Sequence, residues 1–220
     1  MALNAITSRE SVLVTNKLIR NTYTLLSITL LFSAVTAAIA MQMEAKPLSP
    51  LLLLGVYFGL LFATSATRNS PWGLFFVFAL TGFMGYTLGP LLDFYLHTYA
   101  NGGELIMTAM GGTGVIFLGL SAYALTTRKD FSFMGGFLMI GILVAFIAGL
   151  GAFFFADQAL ALAVSAIFIL LMSGLILYQT SEIIHGGETN YIMATVTLFV
   201  AIFNLFTSLL HILGFLSGED

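Results

Sequence analysis

Seven long apolar stretches dominate this sequence and restrict the folds that are open to it. An α-helix needs about 20 apolar residues to cross the hydrocarbon core of a bilayer. Each stretch meets that length with few or no charges, so each is predicted to be one transmembrane helix. The stretches lie at about 22–43, 48–67, 72–96, 104–127, 132–155, 158–184 and 190–216.

Charged side chains are too scarce to cover a soluble domain of this length. Seven Lys and Arg and ten Asp and Glu make up 8% of 220 residues, whereas soluble domains carry about 25%. The chain is 59% hydrophobic, with a mean hydropathy of +1.03. Its surface must therefore face the lipid bilayer. The predicted fold is all-α, a polytopic membrane protein built as a seven-transmembrane-helix bundle. The small negative net charge of −3 argues against a nucleic-acid partner.

Turn and capping residues support the boundaries between the spans. Two serine–proline pairs, Ser49-Pro50 and Ser70-Pro71, each place an N-cap residue before a proline at the first helical position. The connections are short, so no soluble domain is predicted. Further caps are predicted at Asp157 for the sixth helix and at Thr189 or Asn190 for the seventh.

The distribution of Lys and Arg predicts the orientation in the membrane. Cytoplasmic loops carry an excess of these residues, and with seven spans the connections alternate between the two sides. Lys46 alone falls on one side, which is therefore predicted to be periplasmic. The other side is predicted to be cytoplasmic and holds Arg9, Lys17, Arg20, Arg68, Arg128 and Lys129.

The predicted domain organisation follows from these spans. Residues 1–21 form a polar cytoplasmic N-terminal segment without an obvious fold, and residues 22–216 form the seven-helix domain. Residues 217–220 form a periplasmic C-terminal tail. Disordered ends are entry points for proteases, so the N-terminal segment is a candidate handle for an ATP-driven protease.

Glycines recur at helical spacing in three of the spans. Gly82, Gly85 and Gly89 occur in TGFMGYTLGP, and two further glycine-rich runs are GGTGVIFLG (111–119) and GGFLMIGIL (135–143). Small residues let transmembrane helices approach closely, so these glycines are predicted to lie at helix contacts. Pro90 is predicted to break or kink the third helix.

Motifs for catalysis or metal binding are missing from the sequence. The three histidines fall on different segments, and the HExxH pattern is absent. Ser173-Gly174 lacks a glycine two positions before the serine, and paired catalytic aspartates are absent. We therefore predict no catalytic residues, metal site or cofactor, and we do not expect an enzyme.

Polar groups gather at the end of the sixth span, in LYQTSEIIHGGETNYI (177–192). Gln179 and Glu182 are one turn apart there, and Asp93 lies about three residues from the outer end of the third span. A carboxylate at membrane depth is costly and is a functional candidate by default. Near a helix end, however, a side chain can reach water. A functional site and a solvated helix end both remain open.

Four motifs give the chain a resemblance to a known family. They are RNTYTLLSITLLFSAVTA (20–37), TGFMGYTLGP (81–90), LTTRKDFSFMGG (125–136) and IIHGGETNYI (183–192). From about residue 17 to 216 the chain resembles the Bax inhibitor-1 family, and within it a proteobacterial inner-membrane branch. The resemblance implies a multi-pass protein of the bacterial inner membrane that binds the AAA protease FtsH. It implies restraint of FtsH in degrading membrane proteins, including the translocon subunit SecY.

Other members of the family imply an alternative function, a pH-sensitive calcium or cation leak. That activity is linked to an aspartate in the sixth helix and another in the seventh, and this chain has Gln179 and Ala201 at the matching positions. Two close carboxylates can share a proton and bind calcium, which Gln179 and Ala201 cannot do. Glu182 and Asn204 each lie three residues from those positions, on the same helix face. The candidate polar site is therefore Gln179, Glu182, Asn204 and Asp93.

Overall fold

The computed structural model describes the backbone of residues 2–218 and the side chains of residues 13–218. This part of the chain contains seven long α-helices and no β-strand. All seven are long and apolar enough to cross a membrane, which confirms the predicted seven-span, all-α architecture. A short 3₁₀ helix, Ser132–Met134, precedes the fifth. The helices are α1 Ala2–Gln42, α2 Pro50–Thr67, α3 Pro71–Thr98, α4 Gly102–Thr127, α5 Gly135–Phe155, α6 Gln158–His185 and α7 Tyr191–Ser217.

The N-terminal segment departs from the sequence prediction. The segment 1–21 was expected to lack a fold, but α1 begins at Ala2 and continues into the first span. The physical reason is that neither glycine nor proline occurs before Pro47, so nothing interrupts the helix. At 1.5 Å per residue, 41 helical residues extend about 61 Å, about twice the hydrocarbon thickness. Part of α1 therefore lies outside the hydrocarbon core.

Proline and capping residues begin the helices largely as predicted. α2 and α3 begin at Pro50 and Pro71. The Asp157 carboxylate accepts a hydrogen bond from the Leu160 amide at 3.0 Å, which caps α6. Pro90 was predicted to break or kink α3. The break is wrong, because α3 continues through this residue to Thr98, and the kink stays a prediction.

The helices belong to two compact units, which are described separately. The first unit, called the α1–α3 unit below, comprises Met1–Leu91 and Glu182–Phe199. The second, called the α4–α6 unit, comprises Leu92–Ser181 and Val200–Asp220.

In the α1–α3 unit, two glycines of TGFMGYTLGP bring α3 against α1. A Cβ atom at Gly85 would collide with the Ser33 carbonyl oxygen and the Thr36 hydroxyl oxygen. A Cβ atom at Gly89 would lie 2.5 Å from the Cβ atom of Ala40. The contact between α1 and α3 thus requires glycine at both positions, as the small-residue spacing predicted.

In the α4–α6 unit, α5, α6 and α7 form an apolar core. A Cβ atom at Gly141 of α5 would lie 2.7 Å from Leu171 Cδ2 of α6, so this glycine also serves packing. The glycines of the run 111–119 differ, because Gly111, Gly114 and Gly119 have no atom within 4 Å of an added Cβ. The packing prediction is wrong for those three residues. The buried core consists of Leu138, Ala145, Leu171, Met172, Ile176, Ala201 and Leu205.

Replacing Gly85 by alanine tests the α1–α3 contact. The added methyl group has no room beside Ser33, so Gly85→Ala should destabilise the protein by about 1–3 kcal/mol. Gly111→Ala is the matched control, because open space surrounds Gly111 and alanine is the better helix former. Thermal unfolding in detergent measures both. Equal melting temperatures for the two variants would contradict the close contact.

Candidate functional site

Three consecutive polar residues are buried near the cytoplasmic end predicted for α6. Gln179, Thr180 and Ser181 expose at most 5% of their surface. The Ser181 hydroxyl accepts a hydrogen bond from the Phe131 amide at 2.9 Å and donates one to the Lys129 carbonyl at 3.3 Å. Ser181 therefore holds the connection between α4 and α5 against α6, within the α4–α6 unit.

Gln179 of α6 and Ala201 of α7 occupy the positions at which the resemblance to the Bax inhibitor-1 family implied aspartates. The Gln179 Nε2 atom is buried and has no hydrogen-bond partner among the described residues. Leaving a buried donor unpaired costs about 1–3 kcal/mol. Ala201 is fully buried in the apolar core, in the same cluster as Ile176 and Leu205. Neither side chain can titrate.

Asn204 and Asp93 each interact within their own helix. The Asn204 amide donates to the Val200 carbonyl at 2.8 Å. The Asp93 carboxylate lies 3.3 Å from His97 Nδ1, and the two side chains are 44% and 78% exposed. This exposure supports a solvated helix end for Asp93. Within the described residues, no hydrogen bond or ion pair connects Gln179, Asn204 and Asp93 to one another. A shared polar site remains a prediction.

Glu182 belongs to the α1–α3 unit and lies at the last turn of α6. Its backbone carbonyl accepts a hydrogen bond from the Glu188 amide at 3.1 Å. Its carboxylate lies beside Gly187, where an added Cβ would collide with it. Gly186 has a φ of 83°, a conformation that glycine adopts at little cost. The structure therefore places Glu182, partly buried, against the loop that joins α6 to α7.

Asn190 organises this loop in a way that sequence reasoning only half foresaw. Its Oδ1 atom accepts hydrogen bonds from the Ile192 and Met193 amides at 3.0 and 3.1 Å, which confirms the predicted cap of α7. Its Nδ2 atom donates to the Arg68 carbonyl at 3.0 Å and to Asn69 Oδ1 at 2.9 Å. One amide thus joins the start of α7 to the turn between α2 and α3. A contact between residues more than 120 positions apart leaves no local signal in the sequence.

Hydrogen bonds hold the loops around Asn190 and Ser181 in place. Among the described residues, no group of three or more His, Cys, Asp or Glu side chains could hold a metal ion. Asn190 connects the α2–α3 loop to the start of α7 in one unit, and Ser181 connects the α4–α5 loop to α6 in the other.

Comparison with known proteins gives matches along nearly the whole chain. A family model described as "Inhibitor of apoptosis-promoting Bax1" matches residues 15–218. The Escherichia coli K12 protein "Modulator of FtsH protease YccA" is 55% identical over 212 residues, which cover 96% of this chain and 95% of that protein. An uncharacterised protein of Pseudomonas aeruginosa is 53% identical over 202 residues, 92% of this chain and 90% of its own.

A more distant relative also matches along nearly the whole chain. An uncharacterised protein of Neisseria meningitidis is 33% identical over 213 residues, which cover 93% of each chain. The family model and these relatives span all seven helices, so the similarity concerns the whole fold and not one motif. This chain is a seven-span membrane protein that belongs to the Bax inhibitor family.

Proposed function

We propose that this chain binds the membrane protease FtsH and restrains its degradation of membrane proteins. The observation that carries the proposal is the 55% identity, over 96% of the chain, with a protein named as a modulator of FtsH. Membrane-protein substrates such as the SecY translocon subunit are the class that such restraint would protect. The same relative is named an inner membrane protein in a second Escherichia coli strain, which supports the inner membrane as the location.

The exposed faces of the helices support action through protein contact. Only 6% of the apolar window of α2 and 17% of that of α5 are buried, compared with 44% for α7. α2 and α5 therefore carry exposed apolar side chains, such as Phe62 and Phe155, against which lipid or the helices of a membrane protease can pack. The ordered loops around Asn190 and Ser181 add polar surface at the predicted cytoplasmic end.

The proposed orientation places the N-terminus in the cytoplasm and the C-terminus in the periplasm. Six of the seven Lys and Arg residues lie at one end of the spans, and that end is proposed to be cytoplasmic. A periplasm-active reporter enzyme fused after Asp220 should be active, and the same reporter after Lys129 should be inactive. The reverse pattern of activity would overturn this orientation.

The N-terminal end of α1 is the proposed handle for the protease. α1 begins at Ala2, and its 41 residues make it about twice as long as the hydrocarbon core is thick, so its N-terminal end can lie outside the membrane, where the protease can reach it. Deleting Ala2 to Val12 should lengthen the half-life of the chain and should prolong its association with FtsH. Pulse-chase labelling gives the half-life, and co-purification from membranes gives the association.

A tagged full-length chain is the control for co-purification. It should bring down FtsH in proportion to its abundance, and a catalytically inactive FtsH should increase the yield. A deletion variant with an unchanged half-life, in cells whose FtsH degrades another substrate normally, would rule out this handle. Absence of FtsH from the purified full-length chain would contradict the proposed function itself.

The second candidate function is a calcium or cation leak through the polar site Gln179, Glu182, Asn204 and Asp93. Family membership favours it. The buried, unpaired Gln179 amide also marks a polar point within an apolar span. Against it, Gln179 and Ala201 supply no acid, and a single nearby carboxylate binds calcium poorly. We therefore rank the leak below FtsH modulation.

Restoring two acids tests the leak directly. The natural chain should admit little calcium into liposomes, whereas Gln179→Asp with Ala201→Asp should admit more. Two close carboxylates in a medium of low dielectric share a proton, so the restored leak should change across a pH series. Glu182→Gln in the natural background tests the displaced site. A strong pH-dependent leak from the natural chain that survives Glu182→Gln would contradict this ranking.

A further inference from the structure

An apolar groove lies between α1 and α3 in the α1–α3 unit. Its volume is about 380 Å³, which lies within the range of about 300–1,000 Å³ typical of ligand pockets. The lining residues are Phe32, Thr36 and Ile39 from α1 and Phe78, Ala79, Gly82, Phe83 and Tyr86 from α3.

Small residues on α3 create this groove. Ala79 and Gly82 are three residues apart and so share one face of the helix. The Phe32 ring covers Gly82, since a Cβ atom there would come within 2.6 Å of Phe32 Cε1. Phe32 also packs edge-to-face on Phe78, with ring centroids 5.4 Å apart. The aromatic rings form the walls of the groove, and Gly82 allows the Phe32 ring to lie close against α3.

The lining selects a hydrocarbon ligand. None of the lining residues is charged, and only Thr36 and Tyr86 carry polar side-chain atoms. The Thr36 hydroxyl already donates to the Ser33 carbonyl at 2.9 Å. A polar ligand would therefore lose hydrogen bonds to water and gain few in return. Both helices span the membrane, so acyl chains are the hydrocarbon at hand.

An extended acyl chain is thin enough to lie lengthwise in a groove of this volume, along α1 and α3.

A basic residue follows the end of α1 that is nearest to the lining residue Ile39. Ile39, a lining residue, is three residues before the end of α1 at Gln42, about 4.5 Å along the helix axis. The loop that follows carries Lys46, whose side chain is exposed. Lys46 is the one Lys or Arg in the connections at this end of the seven spans. Its ammonium group complements a lipid phosphate.

We propose that the groove between α1 and α3 holds one acyl chain of a glycerophospholipid whose phosphate pairs with Lys46. The hydrocarbon walls bind the chain, and the lysine selects a phosphate-bearing headgroup in the leaflet at the C-terminal end of α1. This lipid site is independent of the proposed action on FtsH.

Photoreactive lipids test the site on the purified full-length protein in liposomes. Two probes carry the same diazirine-labelled acyl chain, one on phosphatidylglycerol and the other on diacylglycerol, which lacks phosphate. Mass spectrometry of the peptides then locates the adducts. Adducts should concentrate on residues 32–39 and 78–86, and phosphatidylglycerol should label them several-fold more than diacylglycerol.

Two variants and a control test the groove and the lysine separately. Ala79→Phe fills the groove and should lower labelling of both segments several-fold. Ala166→Phe is the matched control, because Ala166 lies exposed on α6 in the other unit, and its labelling should equal that of the natural chain. Lys46→Gln should abolish the preference for phosphatidylglycerol while labelling by diacylglycerol persists.

The positions of the adducts on the natural chain test the proposed lipid site even if a variant fails to fold. Adducts spread over α2 and α5 in proportion to their exposure would overturn it, as would equal labelling by the two probes. A photoreactive amino acid at Ile39 that captures a polypeptide in place of lipid would also overturn it.

Discussion

A bilayer offers no hydrogen-bond partner to an unpaired polar group, and this constraint governs the whole structure. Each span must satisfy its own backbone, so the chain crosses the membrane as continuous helices, and even Pro90 lies inside one. Several hydroxyl side chains obey the same rule. Thr64, Thr113 and Ser173 each donate to a carbonyl four residues earlier in their own helix, at 2.7–2.8 Å. Packing between helices then depends on shape, and glycine at positions 85 and 89 of α3 allows α1 to approach closely.

Two positions in the spans bear on the function. Among the described residues, Gln179 keeps a buried amide nitrogen without a partner, and Ala201 lies in the apolar core of the α4–α6 unit. A proton-controlled leak needs two acids that share a proton, and this pair of residues supplies none. The seven-span scaffold of the family is present, and positions 179 and 201 carry no acid. The loops remain well connected, through Asn190 in one unit and Ser181 in the other. These features favour a protein that acts by contact.

Much of the fold could be predicted from the sequence, because span length and apolar composition are properties of a single segment. The helix starts at Pro50 and Pro71 and the cap at Asp157 were local signals of the same kind. The polarity of residues 1–21 predicts a segment without a fold. No residue there breaks a helix, however, so α1 extends to Ala2. The double role of Asn190 and the tie made by Ser181 depend on distant residues. Periodicity does not encode such contacts, so the site was predicted only as a set of candidate side chains.

The most direct measurement of the central claim is the rate at which purified FtsH degrades a membrane-protein substrate in liposomes that also contain this chain. Action by contact predicts that the rate falls as the ratio of this chain to FtsH rises, with no dependence on calcium on either side of the bilayer. An unchanged degradation rate at every ratio, with both proteins shown to lie in the same liposomes, would contradict the account.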